Sequence, residues 1–263
     1  MELSQQMIAA LCATLCGASP IGQAWGSIDE WRKTSGIIGA QNFEVAVRMA
    51  TLRTASNAQG VQDGLVICGA TTVWLPGIPA KHVFDYIHDR NRRGEWDTFC
   101  NGVPAQQEDY VAAVQLPRYT VSVLHPRAAH GTNNKKLILQ QVCADESCIL
   151  VAYAPVEEHS LKEVMHEAGS LASFYLLPSG FVILPDGHGD QQIPPVDTKH
   201  PSSAAMIHRN NDGCLVSALF QTFLKGPTPE SLVAQTINNV ENLVSHSIVK
   251  IKDAVHANIV VAA

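Results

Sequence analysis

The chain has 263 residues, 46% of them apolar and 16% charged, with a formal net charge of −6. That composition supports a sizeable core and excludes wholesale disorder. The acidic balance, with no basic stripe, argues against a nucleic-acid surface, and no apolar run approaches the roughly 18 residues of a membrane helix.

Residues 1–17 carry Leu3, Met7, Leu11 and Leu15 at four-residue steps, with Ile8 and Cys12 beside them. This spacing predicts a helix packed on a core. The preceding MELSQQ has a negative charge and no positive one, unlike the start of a signal peptide. The next segment, with Trp25 and Trp31, reads as turn-rich. Phe43–Arg53 and Leu65–Leu75 read as strands from their β-branched content, joined by a polar turn. Behind Pro79, Val83, Phe84 and Ile87 have helical spacing and predict a short helix. The run RNRRGE, Arg90 to Glu95, reads as a solvated loop because Asp89, Glu95 and Asp97 surround its arginines.

Strands follow at Tyr110–Leu116, Tyr119–Leu124, Lys136–Cys143 and Cys148–Val156, separated by turn signals. EEHSLKEVMHEA is a short helix or a crossing loop. LLPSGFVILPDG, Leu176 to Gly187, and Cys214–Leu224 complete the strands. Between them, residues 187–213 are polar, proline-bearing and aperiodic, as in a long loop. The 228–256 segment predicts a long C-terminal helix. Thr228 is its N-cap candidate, Pro229 its first position, and Glu230 suits the positive end of the dipole. Val233, Ile237, Val240, Val244, Ile248, Ile251 and Val255 form its apolar stripe. With no βαβ alternation, the order of elements points to an α+β domain in which a curved antiparallel sheet holds one long helix.

Seven cysteines, Cys12, Cys16, Cys68, Cys100, Cys143, Cys148 and Cys214, sit at irregular spacing without a CxxC pair. Neither a disulfide framework nor a thiolate zinc site is expected, and reduced thiols in an intracellular protein fit. Ser179 lies between Pro178 and Gly180, but a nucleophile elbow needs glycines two residues to either side, where Leu177 and Phe181 stand. It reads as a sheet serine. His159, Glu163 and His166 share a face if that segment is helical, yet HxxxExxH is no recognised metal pattern, and no metal or other cofactor is expected.

RNRRGEWDTFCNGVPAQQE, KLILQQVCADES, LVAYAPVE, LLPSGFVILPDG and ENLVSHSIVKIKDAV together resemble, in collinear order, the C-terminal region of plant class IV homeodomain–leucine zipper transcription factors. That region follows their START domain, and the resemblance covers nearly the whole chain. It implies one START-like helix-grip domain over 1–263. The matched segments include no homeodomain, zipper or first START domain, so direct DNA binding is not expected of them. HEAGSLASFY stands where the family has a glycine-rich segment, His246 where a cysteine is usual, and the loop from Gly187 to Gly213 is expanded.

In such a fold the long helix roofs a cavity. The resemblance therefore makes Trp96, Phe99, Tyr153, Tyr175, Phe181, Val240, Leu243 and Val244 candidate ligand-lining residues, with plain core packing as the alternative. His246, beside the apolar stripe, is either a general acid or base or a half-solvated boundary residue, with Glu163 and His166 as further catalytic candidates. The expected role is a regulatory domain that binds a lipid or other hydrophobic small molecule, or that makes protein contacts including a homodimer. It would be nuclear if part of a transcription factor and cytoplasmic if free-standing. The alternative is a free-standing enzyme of specialised metabolism that uses the cavity for acid/base-assisted cyclisation or isomerisation.

Overall fold

The computed structural model describes residues 2–18, 25–38, 41–55, 61–97, 106–107, 114–116, 119–125, 136–145, 147–159, 161–162, 176–187 and 213–262. Helix α1 (Glu2–Leu15) opens the chain. Strands β1 (Trp25–Ile28), β2 (Arg32–Ile38), β3 (Gln41–Ala55) and β4 (Val61–Leu75) follow, then helices α2 (Ala80–His88) and α3 (Arg93–Trp96). The remaining strands are β5 (Gln106–Gln107), β6 (Val114–Leu116), β7 (Tyr119–His125), β8 (Lys136–Ala144), β9 (Ile149–Glu157), β10 (Ser179–Pro185) and β11 (Cys214–Lys225). Helix α4 (Glu230–Ala262) closes the fold.

These eleven strands form one sheet in the order β1-β3-β4-β11-β10-β9-β8-β7-β5, with β2 also on β3 and β6 also on β7. Every pairing is antiparallel. The fold is α+β, as the order of elements implied, and START-like, as the resemblance implied.

Strand pleat sorts the core into two layers. Ile149, Val151 and Tyr153 face the same cluster as Val240, Val244, Ile248, Ile251 and Val255 of α4. Their neighbours Leu150, Ala152, Ala154 and Val156 face Leu3, Met7 and Leu11 of α1. The sheet is thus covered on both sides, which is why β9 is an apolar run rather than an alternating one. Each buried side chain of the α4 stripe contributes about 1.5–3 kcal/mol relative to exposure.

Two glycines allow the helices to approach. A Cβ at Gly69 would lie 2.5 Å from Val240 Cγ1 and 3.2 Å from Val244 Cγ2, so α4 rests on bare backbone there. A Cβ at Gly180 would meet the Val151 carbonyl oxygen and, at 3.0 Å, Leu11 Cδ2 of α1. Gly180 of LLPSGFVILPDG therefore serves packing, whereas Gly187, at φ 75° with open space around it, serves the turn. Buried Arg48 of β3 donates from Nη2 to the Thr14 carbonyl at 3.2 Å and lies 4.7 Å over the Trp31 ring. A cation placed there also complements the C-terminal end of the α1 dipole.

Several local readings are corrected. The turn-rich reading of the segment with Trp25 and Trp31 gives way to β1 and β2, which pair with successive parts of β3. RNRRGE is a solvated turn only over residues 90–92: its last residues enter α3, and Arg93 is buried. Thr228 turns its hydroxyl to the Gly226 carbonyl at 3.0 Å, while the Pro229 carbonyl accepts the first helical bonds, from Leu232 and Val233. The strand expected over Tyr110–Leu116 is described from Val114 on. The 187–213 loop lies outside the described residues except at its ends, Gly187 and Gly213.

Candidate functional site

Helix α3 is one turn long, too short to hold itself together, so its tertiary partners fix it. Arg93 and Asp97 stand four residues apart, and Arg93 Nε donates to Asp97 Oδ2 at 2.7 Å, with the side chains 3% and 0% exposed. Arg93 Nη1 donates to Gln140 Oε1 of β8. The guanidinium carbon lies 4.7 Å from the Tyr153 ring centroid and 5.1 Å from that of Trp96. Gln140 is opposite Tyr153 across β8 and β9, and Tyr153 is opposite Ser179 across β9 and β10, so this row shares the inner face.

Around the buried cation the aromatic rings close the interior edge to face. Trp96 meets Phe181 at 5.2 Å and Tyr153 at 5.8 Å between centroids, and Phe181 meets Phe220 at 6.1 Å. Such contacts add about 0.5–1.5 kcal/mol each beyond buried area. Within this cluster Arg93 Nη2 and Trp96 Nε1 have no hydrogen-bond partner among the described residues. Buried N–H groups without an acceptor are costly and uncommon in folded proteins.

Helix α3 hangs from α4 by its backbone. Ser247 Oγ donates to the Trp96 carbonyl at 2.8 Å, and His246 Nε2 meets the Glu95 carbonyl at 3.2 Å, so that nitrogen carries the proton. On the other side Tyr86 of α2 donates to Glu95 Oε2 at 2.9 Å, with Arg92 4.7 Å over the Tyr86 ring. Burial, reinforced by the Glu95 carboxylate, pushes the Tyr86 phenol far above its ordinary range.

The candidate ligand residues Trp96, Tyr153 and Phe181 thus come together in one cluster. Val240 and Val244 belong to the same core cluster and sit over Gly69, and Leu243 is half-buried against it. Phe99 and Tyr175 lie outside the described residues, as do the catalytic candidates Glu163 and His166. His246 is exposed, with its ring engaged by a backbone carbonyl. Ser179 Oγ accepts from the Gln221 amide at 3.2 Å, a sheet role and no nucleophile's setting. Among the described residues no group of three or more histidines, cysteines or acids is arranged to hold a metal ion. Burial pushes the Cys68 and Cys214 thiols up to about 12 and about 11, which keeps them protonated.

The sequence reading passed over Arg93, Asp97 and Gln140. The visible signal was an arginine and an aspartate four apart with a tryptophan between them, the spacing of an i,i+4 pair on one helix face.

A family model described as "PDF2-like, C-terminal domain" matches residues 1–257. The chain is 39% identical over 269 residues to the homeobox-leucine zipper protein ROC6 of Oryza sativa subsp. japonica, covering 99% of this chain and 30% of that protein. Homeobox-leucine zipper protein ROC4 of the same organism is 32% identical, with coverage of 98% and 28%. Homeobox-leucine zipper protein HDG1 of Arabidopsis thaliana is 29% identical, with coverage of 98% and 30%. The chain therefore spans about 30% of the length of these curated relatives. They are of the kind to which the collinear motifs pointed.

Proposed function

Because this chain belongs to the PDF2-like C-terminal domain family, we propose that it is a regulatory domain of a plant homeodomain–leucine zipper protein that binds a hydrophobic small molecule between α3 and the sheet. In that setting it works in the nucleus, and any DNA contact belongs to other parts of the longer protein. The observation that carries the reading is that Trp96 fills the interior from one-turn α3 and not from α4. Two side-chain bonds, from Ser247 and His246, tie that turn to the long helix. Hydrogen bonds of this kind contribute about 0.5–1.5 kcal/mol each. Arg93–Gln140 and Tyr86–Glu95 also hold the turn, so a ligand that displaces α3 must replace those contacts too.

The test is native mass spectrometry of the purified chain after incubation with a plant lipid extract, with thermal unfolding in parallel. The expected result is a retained apolar molecule and a raised Tm. A chain that emerges bare, with Tm unmoved, overturns the ligand reading.

A second reading, protein contact, has its own support. Trp74, Leu215 and Leu184 are direct cross-strand neighbours and are 56%, 37% and 38% exposed. An exposed apolar row on a sheet face supports reading it as an interaction surface. Loss of self-association or partner capture in a Trp74→Ser, Leu215→Ser variant would support it, and unchanged behaviour would remove it. The enzyme alternative has less behind it, since exposed His246 spends its Nε2 proton on the Glu95 carbonyl.

A further inference from the structure

The interior cluster is unbalanced in a specific way. Arg93 and Asp97 are a buried pair whose formal charges cancel, and Gln140 supplies an acceptor to one guanidinium nitrogen. What remain are two donors, Arg93 Nη2 and Trp96 Nε1, both buried with no acceptor among the described residues. Both belong to one unit, because the guanidinium carbon is 5.1 Å from the Trp96 ring centroid. Tyr153 and Phe181 surround that unit with ring surface.

From this imbalance we infer that the domain selects an apolar ligand carrying one neutral acceptor oxygen, a ketone, ester carbonyl or hydroxyl, received by Arg93 Nη2 and Trp96 Nε1. The inference rests on the ligand reading above and specifies its chemistry. A carboxylate would also be met by the donors. It would, however, add an uncompensated negative charge beside Asp97, whose own charge Arg93 already balances, and burying an unpaired charge is the more costly arrangement. A pure hydrocarbon would leave both donors as they are. A site built to hydrogen-bond a polar group discriminates against the analogue that lacks it.

The experiment compares undecanone, undecane and undecanoic acid at neutral pH. It titrates each into the chain and follows the indole N–H signals of nitrogen-15-labelled tryptophan by NMR. The ketone is expected to bind about 3- to 10-fold more tightly than the hydrocarbon, to shift the Trp96 indole signal, and to bind more tightly than the acid. Trp96→Phe keeps a ring against Phe181 and removes the donor, so it should lower the ketone preference while leaving hydrocarbon affinity within about twofold. If that variant fails to fold, the indole shift and the three affinities of the unsubstituted chain decide alone. Equal binding of ketone and hydrocarbon without an indole shift overturns the inference, with water as the acceptor. So does tightest binding of the acid. Absence of binding by all three removes the ligand reading itself, which separates the two failures.

Discussion

Ser247 Oγ donates to the backbone carbonyl of Trp96 at 2.8 Å across 151 residues of chain, and Ser247 is fully buried. One hydroxyl on the long helix thus satisfies a carbonyl at the end of a single-turn helix, beyond the one that the Asp97 N–H closes on Arg93. Ser247→Ala leaves that carbonyl buried without its partner. The expected cost is about 1–3 kcal/mol, read as a lower midpoint in urea unfolding with an unchanged slope.

The Arg93–Asp97 pair should show an asymmetry between breaking and replacing it. Arg93→Met leaves Asp97 buried and uncompensated, with an expected loss of about 3–5 kcal/mol. The double change Arg93→Met, Asp97→Leu removes both charges and should recover most of that loss. A double variant as unstable as the single one would contradict this account, as urea denaturation of the two would reveal.

Gly69 is where α4 touches the sheet. Gly69→Ala places a methyl group 2.5 Å from Val240 Cγ1 and should cost about 1–3 kcal/mol through overpacking. Gly69→Val should be worse. Thermal unfolding of the two variants gives the order, and an alanine variant as stable as the parent would show that α4 can back away.

The cysteines should differ sharply in reactivity. Cys16 is exposed, whereas Cys68 and Cys214 are buried with thiols raised to about 12 and about 11. Iodoacetamide at pH 8 should modify Cys16 first and reach the other two only on unfolding, because the thiolate is the nucleophile. Mass mapping of the modified peptides checks this. The linked effect on stability has a definite sign. The folded chain holds these protons more tightly than the unfolded chain, whose thiols release them near 9. Their contribution is therefore complete below pH 9 and declines as pH rises from 9 toward 12.

What the sequence discloses follows the range of the interactions involved. The α4 stripe and the long strands were legible because their periodicity is local: Val240, Val244, Ile248, Ile251 and Val255 all land in the core. RNRRGE was misleading because the acceptor that draws Arg93 inward, Gln140, is 47 residues away. Counting neighbouring charges cannot anticipate such a partner. β1 and β2 were missed for a different reason: they pair with β3 close by in the chain, but the polar and glycine residues between Trp25 and Gly36 read as turn. At the candidate site the aromatic residues were identified and the polar ones were not. Apolar side chains declare their burial by type, whereas a buried arginine is recognisable only by its partners.

The contact at Gly69 bears on how the domain can move. Val240 and Val244 straddle a residue without a side chain, so sliding α4 by a turn would set a methyl-bearing surface against neighbours that lack this recess. The long helix is keyed to the sheet like a tooth in a notch. On the proposed ligand reading, opening the interior would be a hinge motion of α3, with α4 as the fixed doorpost. Occupancy would be reported on the face formed by α2 and α3, where Arg92 and Glu95 meet solvent over buried Tyr86, rather than at the far end of the C-terminal helix.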